Sequence, residues 1–371
     1  MRILYINDSL AVWGGLERIL VEKMNYLAEK YGYDVYMITC DQGNHIIPYQ
    51  VSPMVTIIDL DICFFREYNY SGFKRLFIKY KLRSQYRERL KEQLYSIKPN
   101  IIVCARLHLM GILNQVKGQI PLVVESHSLC RAYKFEVSGR VKTIIEKLYS
   151  YQVRKAQLLV ALTYGDANDW MKITRNVVVI PNFVHLNNSG KYSDLKSKKA
   201  LFVGRFSKQK DIGILFKIWE VVNQKHSDWQ LHIYGGYGDD YEQLMYKYKK
   251  TSSCVIIHEP TPMIFDAYLN SSMLLLTSVY EPFGLVLPEA MSCGLPVISF
   301  NCPYGPSDII KDGIDGFLVK ERNVLEYANR VCQLIENSSL RTRMGQAAAV
   351  TSQRYRADLI MPIWKQLFEK L

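Results

Sequence analysis

Residues 186–205 read LNNSGKYSDLKSKKALFVGR, and the change of character inside that run sets the architecture. The first fourteen residues are polar with no apolar period, as expected of a linker. The last six, ALFVGR (200–205), begin an apolar run that ends in Gly and Arg. Working upstream, apolar runs recur at 2–6, 34–39, 55–60, 101–105, 122–126, 158–163 and 177–181. Downstream they recur at 230–235, 254–259, 272–278, 296–300 and 316–319. They are continuous rather than alternating, as in strands covered on both faces. Helical stretches lie between them. One is 16–30, with Leu16, Ile19, Leu20, Met24 and Leu27 on one stripe; another is 74–96, with Leu82, Tyr86, Leu90 and Leu94 every four residues.

Strand–helix alternation that stops and restarts predicts two parallel-sheet units. The length of 371 residues agrees, since single cores stop growing near ~250–300 residues. The expected fold is α/β, with two Rossmann-like doubly wound domains facing across a cleft. Domain bounds are predicted at 1–185 and 200–351, joined by the linker 186–199. Residues 352–371 form an amphipathic helix with Leu359, Ile360, Ile363, Trp364, Leu367 and Phe368 as its apolar face, returning toward the first domain. Ligands of such sheets bind outside the C-terminal ends of the strands.

Composition narrows the class. Eight cysteines are scattered without a CxxC pair, which argues against a clustered zinc site or a disulfide scaffold. They read as reduced thiols of a cytoplasmic protein. No run reaches the ~18 apolar residues of a membrane span, and MRILYIND (1–8) reads as a strand rather than a signal peptide. The formal charge is +12. Residues 64–98 contain ten Lys/Arg against three acids, interleaved with Phe64, Phe65, Tyr68, Tyr70, Phe73, Phe77 and Tyr80. Two readings stay open. A helix with Lys/Arg on one side and Leu/Tyr on the other can lie on an anionic membrane surface, or it can pack on the sheet with its cations in water. Nucleic acid is not expected as a partner, because no recognition motif accompanies the charge.

Chemistry concentrates in SVYEPFGLVLPEAMSCGLPVISF (278–300). A strand ends near Ser278, a loop carries Glu281, and a helix runs to about Cys293. Gly294 and Pro296 stop that helix, and Pro288 fits its first turn. Backbone N–H groups around Phe283, Gly284, Leu285 and Val286 are placed to meet an anion. Glu281 before the helix and Glu289 within it can face one ligand from two depths, and carboxylates accept from diols. Arg205 and Lys210 follow a strand that ends in Gly204, where cations can balance a departing diphosphate. Gly14 and Gly15 remove Cβ bulk where the first strand turns into its helix, which permits close approach of a phosphate or acceptor, or simply a tight turn. Arg18 lies on the next turn, either near that ligand or in a surface pair. His127 ends LVVESHS at a strand's C-terminal end. Asp59 and Asp61 form a DxD string, read here as a strand end and not as a metal site.

The 278–300 string, with FG after the first of two acids eight apart, resembles the retaining GT-B glycosyltransferases of group 4. VWGGLERIL (12–20), LFVGRFSKQKDI (201–212) and CPYGPSDIIKDGIDGFLV (302–319) are similar to further elements of that family, in order. The resemblance implies a hexosyltransferase that uses a nucleoside diphosphate sugar, UDP-linked, as co-substrate, with no metal or other cofactor. The acceptor would be a hydroxyl of a glycan or lipid-linked glycan in cell-surface polysaccharide assembly. It also implies residue roles: Glu281 at the donor sugar, Glu289 at the ribose, Gly284 and Leu285 at sugar and phosphate, Arg205 and Lys210 at the diphosphate. His127 would contact the donor sugar near the reacting carbon, and Gly15, Arg18 and His127 would line the acceptor side. A GT-B-like epimerase and a non-catalytic nucleotide-sugar-binding partner are the alternatives. An NAD(P) dehydrogenase is disfavoured, because neither half has GxGxxG after its first strand.

Overall fold

The computed structural model describes residues 1–128, 130, 140–187, 189–236 and 254–371, with the side chains of 140–146 excepted. The chain divides into two compact units. The first comprises Met1–Leu162, Asp166–Ile180 and Met361–Leu371; the second comprises Thr163–Gly165 and Pro181–Ile360.

The first unit is built on a seven-stranded sheet in the order β3-β2-β1-β4-β5-β6-β7. Its strands are β1 Arg2–Ile6, β2 Asp34–Thr39, β3 Val55–Asp59, β4 Ile101–Cys104, β5 Leu122–Ser126, β6 Leu158–Ala161 and β7 Val177–Val179. Every pairing is parallel, for example Ile6 against Ile38 on one side and Cys104 on the other. The central strands are buried throughout, which explains their unbroken Val/Ile/Leu character.

The helix Gly15–Tyr31 buries Ile19, Leu20, Met24 and Leu27 as the stripe predicts. Gly32 ends it at φ +65°, where the N–H of Tyr33 reaches back to the Leu27 carbonyl at 3.2 Å. The helix Gly72–Ile97 departs from the expected two-sided pattern. Its second half docks through Leu82, Tyr86, Leu90 and Leu94. Its first half leaves Phe73, Leu76, Phe77 and Tyr80 exposed, beside exposed Phe65 and Tyr68 of the preceding turn Phe64–Asn69. Aromatic and cationic side chains thus share the solvent face, instead of taking opposite sides.

The C-terminal helix Ala357–Lys370 packs Ile360, Met361, Trp364 and Phe368 inside. Leu359 and Ile363, expected on that face, are exposed instead. The helix contains Pro362, and Met361 takes the inward position.

The second unit has a six-stranded parallel sheet, β10-β9-β8-β11-β12-β13. Its strands are β8 Lys199–Val203, β9 Gln230–Tyr234, β10 Val255–His258, β11 Met273–Leu276, β12 Val297–Phe300 and β13 Gly316–Val319. The polar run 186–199 is tied to this unit rather than loose. Ser193 donates its N–H to the Cys293 carbonyl at 2.9 Å, and the buried Arg341 guanidinium donates to the Leu195 carbonyl at 3.0 Å. The helix Val286–Ser292 ends as its sequence predicts. Gly294 takes φ +78°, its N–H reaches the Met291 carbonyl, and the Leu295 N–H reaches that of Ala290.

Candidate functional site

Each sheet reverses its strand order once, between β1 and β4 and between β8 and β11. Just outside the C-terminal ends of such neighbouring strands, the connections diverge and leave room for a ligand. The charged side chains gather at these two points.

In the second unit, β8 leads into Gly204 and Arg205, and β11 leads into Thr277–Gly284. Lys210 Nζ meets Glu281 Oε2 at 2.5 Å, and both side chains are mostly buried. Ser278 Oγ donates to the same carboxylate oxygen at 3.0 Å. Thr277 Oγ1 holds the Lys210 carbonyl at 2.9 Å, so the β8 loop is fastened to the end of β11. Beneath it, Arg322 donates to Asp211 Oδ2 at 2.6 Å and to the Ser278 carbonyl at 2.9 Å. Asp211 also caps the helix Ile212–Lys225 by accepting the Ile214 N–H. Arg205 differs from these cations: it is exposed and forms no hydrogen bond or ion pair among the described residues.

The backbone around Glu281 is equally constrained. Its N–H donates to the Pro303 carbonyl, and its own carbonyl accepts from Tyr304 and Gly305. Gly284 sits at φ +93°, and a Cβ there would lie 3.0 Å from the Glu281 side chain, so glycine serves both the turn and the close approach. Among the described residues, no acceptor takes the N–H of Gly284, Leu285 or Val286. Phe283 points inward and packs edge-on to Tyr355. Glu289 lies deeper than Glu281, at 2% exposure, and accepts from the Tyr268 hydroxyl at 3.1 Å.

In the first unit, Arg106 follows β4 and bridges Asn7 Oδ1 (2.8 Å), Asp8 Oδ2 (3.0 Å) and Glu17 Oε1 (3.1 Å). His127 Nε2 lies 2.8 Å from Glu125 Oε2, which also takes Lys23 Nζ at 2.6 Å. Burial alone would raise the Glu125 pKa, but Lys23 and His127 outweigh it and bring it down to about 2. Burial lowers the pKa of His127, with Glu125 opposing, and likewise that of Lys23.

A Cβ at Gly14 would collide with the Glu17 carboxylate, so the missing side chain matters there. Gly14 is the N-cap of its helix with extended backbone (φ −136°), eight residues beyond the end of β1, so no glycine-only conformation is needed there. Gly15 opens the helix, and Arg18 lies 3.7 Å from Glu22 one turn on. Asp59 is occupied by Thr39 Oγ1 and the N–H groups of Gln42 and Gly43, in keeping with a strand-end role.

Charged residues that escaped the sequence reading include Lys23, Arg106, Glu125 and Arg322. Lys23 carried a signal, because it stands in the middle of the apolar stripe of 16–30, where a charge needs a buried partner. Glu125 carried another, inside a strand that is otherwise apolar.

Comparison with known proteins gives the family. Residues 187–351 match the family model "Glycosyl transferases group 1", and residues 13–188 match "Glycosyltransferase Family 4". An uncharacterized glycosyltransferase of Haemophilus influenzae is 29% identical over 95% of both chains. The amylovoran biosynthesis glycosyltransferase AmsD of Erwinia amylovora is 26% identical over 99% of both. Among solved structures, Staphylococcus aureus TarM in complex with fondaparinux, α-GlcNAc-glycerol and UDP superposes with a TM-score of 0.81 at 17% identity, covering 99% of each chain. With two family models tiling 13–351 and a full-length match to this fold, the chain belongs to the GT-B glycosyltransferases of the family 4 kind.

Proposed function

We propose that this glycosyltransferase moves a hexose or N-acetylhexosamine from a UDP-sugar to a hydroxyl of a glycan or lipid-linked acceptor, with retention, in cell-surface polysaccharide assembly. The observation that carries the reading is the β8/β11 site. A mostly buried Lys210–Glu281 pair stands there with Arg205 and three backbone N–H groups that have no partner among the described residues. Cations and amides take the diphosphate, and Glu281 accepts from sugar hydroxyls. The amylovoran relative and the UDP in the TarM complex support the polysaccharide and uridine parts.

In the proposed step the bond from the anomeric carbon to the phosphate oxygen breaks, and a bond to the acceptor oxygen forms on the same face. The acceptor proton passes to the departing β-phosphate. Arg205 and Lys210 balance the charge that grows on that phosphate, and preorganised donors of this kind act most strongly where water is excluded. We assign no metal ion to the step. The protein would work in the cytoplasm, at the inner membrane face, with residues 64–98 against anionic lipid.

The test is a panel of nucleotide sugars offered with acceptor glycans. One UDP-sugar should raise the melting temperature and yield a glycosylated product of unchanged anomeric configuration by NMR. An inverted product would refute retention. Conversion of the nucleotide sugar without any acceptor would favour an epimerase.

A further inference from the structure

The Lys23–Glu125–His127 cluster is a charge problem with one physical solution. One carboxylate oxygen, Glu125 Oε2, accepts from both Lys23 Nζ and His127 Nε2. The side chains of Lys23 and Glu125 are 1% and 0% exposed, and that of His127 is 5% exposed. Two cations against one carboxylate would leave a net charge in the protein interior, which is strongly unfavourable. The ammonium is the stronger base, so it retains its proton and the imidazole stays neutral. A neutral ring 2.8 Å from a carboxylate must present its N–H to it, because two lone pairs would repel. The proton is therefore on Nε2, and Nδ1 is bare.

The neighbours reinforce this. Trp364 lies over Lys23, with the ammonium 4.0 Å from the ring centre, which favours the charged form. Arg106 adds positive potential at His127, and Tyr5 and Cys104 adjoin Glu125 as neutral groups. Glu125 Oε1 and the Tyr5 hydroxyl are buried without hydrogen-bond partners among the described residues. Among the described residues, the carboxylate's hydrogen bonding is thus spent through Oε2 on Lys23 and His127.

We propose that Lys23 and Glu125 are positioning residues that hold His127 as a neutral Nε2–H tautomer, leaving Nδ1 as an unprotonated hydrogen-bond acceptor that transfer depends on. The inference rests on the glycosyltransferase reading for the ring's part in transfer, but not for the state of the ring. Trp364 belongs to the C-terminal segment, so the far end of the chain takes part by covering Lys23.

The test is the ring's own NMR signature. In protein labelled with ¹⁵N-histidine, the His127 signals are assigned by their loss in His127→Gln. Wild type should show a neutral Nε2–H ring that does not titrate between pH 6 and 8. In Lys23→Met, Glu125 faces only the imidazole, so the ring should become cationic and titrate within that range. The kcat of Lys23→Met should then rise with pH where wild type is flat, with KM for the donor changed less than kcat. A merely structural lysine would lower stability without moving tautomer or profile. A wild-type ring that is Nδ1–H or cationic at pH 7 overturns the proposal, and this needs no variant to fold. An unchanged ring in Lys23→Met also overturns it, as does full transfer by His127→Ala. The spectra need no substrate, so they fail or hold separately from the donor assignment.

Discussion

Lys210 and Glu281 carry the chemical argument at the residue scale. Their contact joins the loop after β8 to the loop after β11. Removing the ammonium leaves a mostly buried carboxylate with Ser278 as its remaining side-chain donor among the described residues, and takes a cation from the proposed diphosphate site. Lys210→Ala is expected to lower transfer about 10²–10³-fold, the usual effect of deleting one preorganised donor. Steady-state rates with a melting curve check this; a rate within threefold of wild type would remove Lys210 from the site. Asp166 gives a prediction of different sign. Burial lifts its carboxyl to about 6, despite bonds from the Cys130 N–H, Ser126 Oγ and Trp170 Nε1. An acid whose pKa is raised on folding binds protons more readily when folded. The first unit should therefore gain stability as pH falls from about 7 toward 4, by up to about 3 kcal/mol from this group. Asp166→Asn should flatten that part of the pH–stability curve in denaturant titrations. Glu125 works oppositely, since its lowered pKa makes its contribution full above about pH 5 and lost as pH falls toward 2.

At the scale of elements, the helix Gly72–Ile97 shows what a periodic reading can and cannot deliver. Its buried stripe was legible because Leu82, Tyr86, Leu90 and Leu94 repeat every four residues. Its exposed aromatic half was not, because exposure there depends on where the sheet stops supporting the helix. Phe73, at 90% exposure, and Phe77, at 66%, stand beside Lys74, Arg75 and Lys79. That combination suits an interface with anionic lipid, where each cation contributes about 1 kcal/mol. The protein should sediment with vesicles containing phosphatidylglycerol but not with pure phosphatidylcholine. The double change Phe73→Ser with Phe77→Ser should reduce that binding at least tenfold without altering the melting temperature. Equal binding by the variant would leave this face without a lipid role. The C-terminal helix carries a packing prediction. Trp364 is buried against Lys23, so Trp364→Ala should destabilise the first unit by about 3–5 kcal/mol in urea unfolding.

At the scale of the whole molecule, two parallel sheets could be read from the sequence, because continuous apolar strands are local features; the chain passes from the first unit to the second at Ile180–Pro181, ahead of the polar run 186–199. Which residues share a site within each unit was only partly legible. Glu281, Lys210 and Arg205 fell at strand ends, where chemistry is expected. Lys23 and Glu125 are 102 positions apart, and Arg322 reaches Asp211 across 111 positions, so no local period announces either pair. The glycines at 14 and 15 mark the start of the first helix, where a Cβ at Gly14 would collide with the Glu17 carboxylate. The central claim is that the second unit's switch point binds the diphosphate of a nucleotide sugar. Isothermal titration of UDP into wild type and into Arg205→Ala with Lys210→Ala tests it most directly. Saturable binding to wild type that weakens at least a hundredfold in the folded double variant is the predicted result; equal affinity in the two proteins would contradict the assignment.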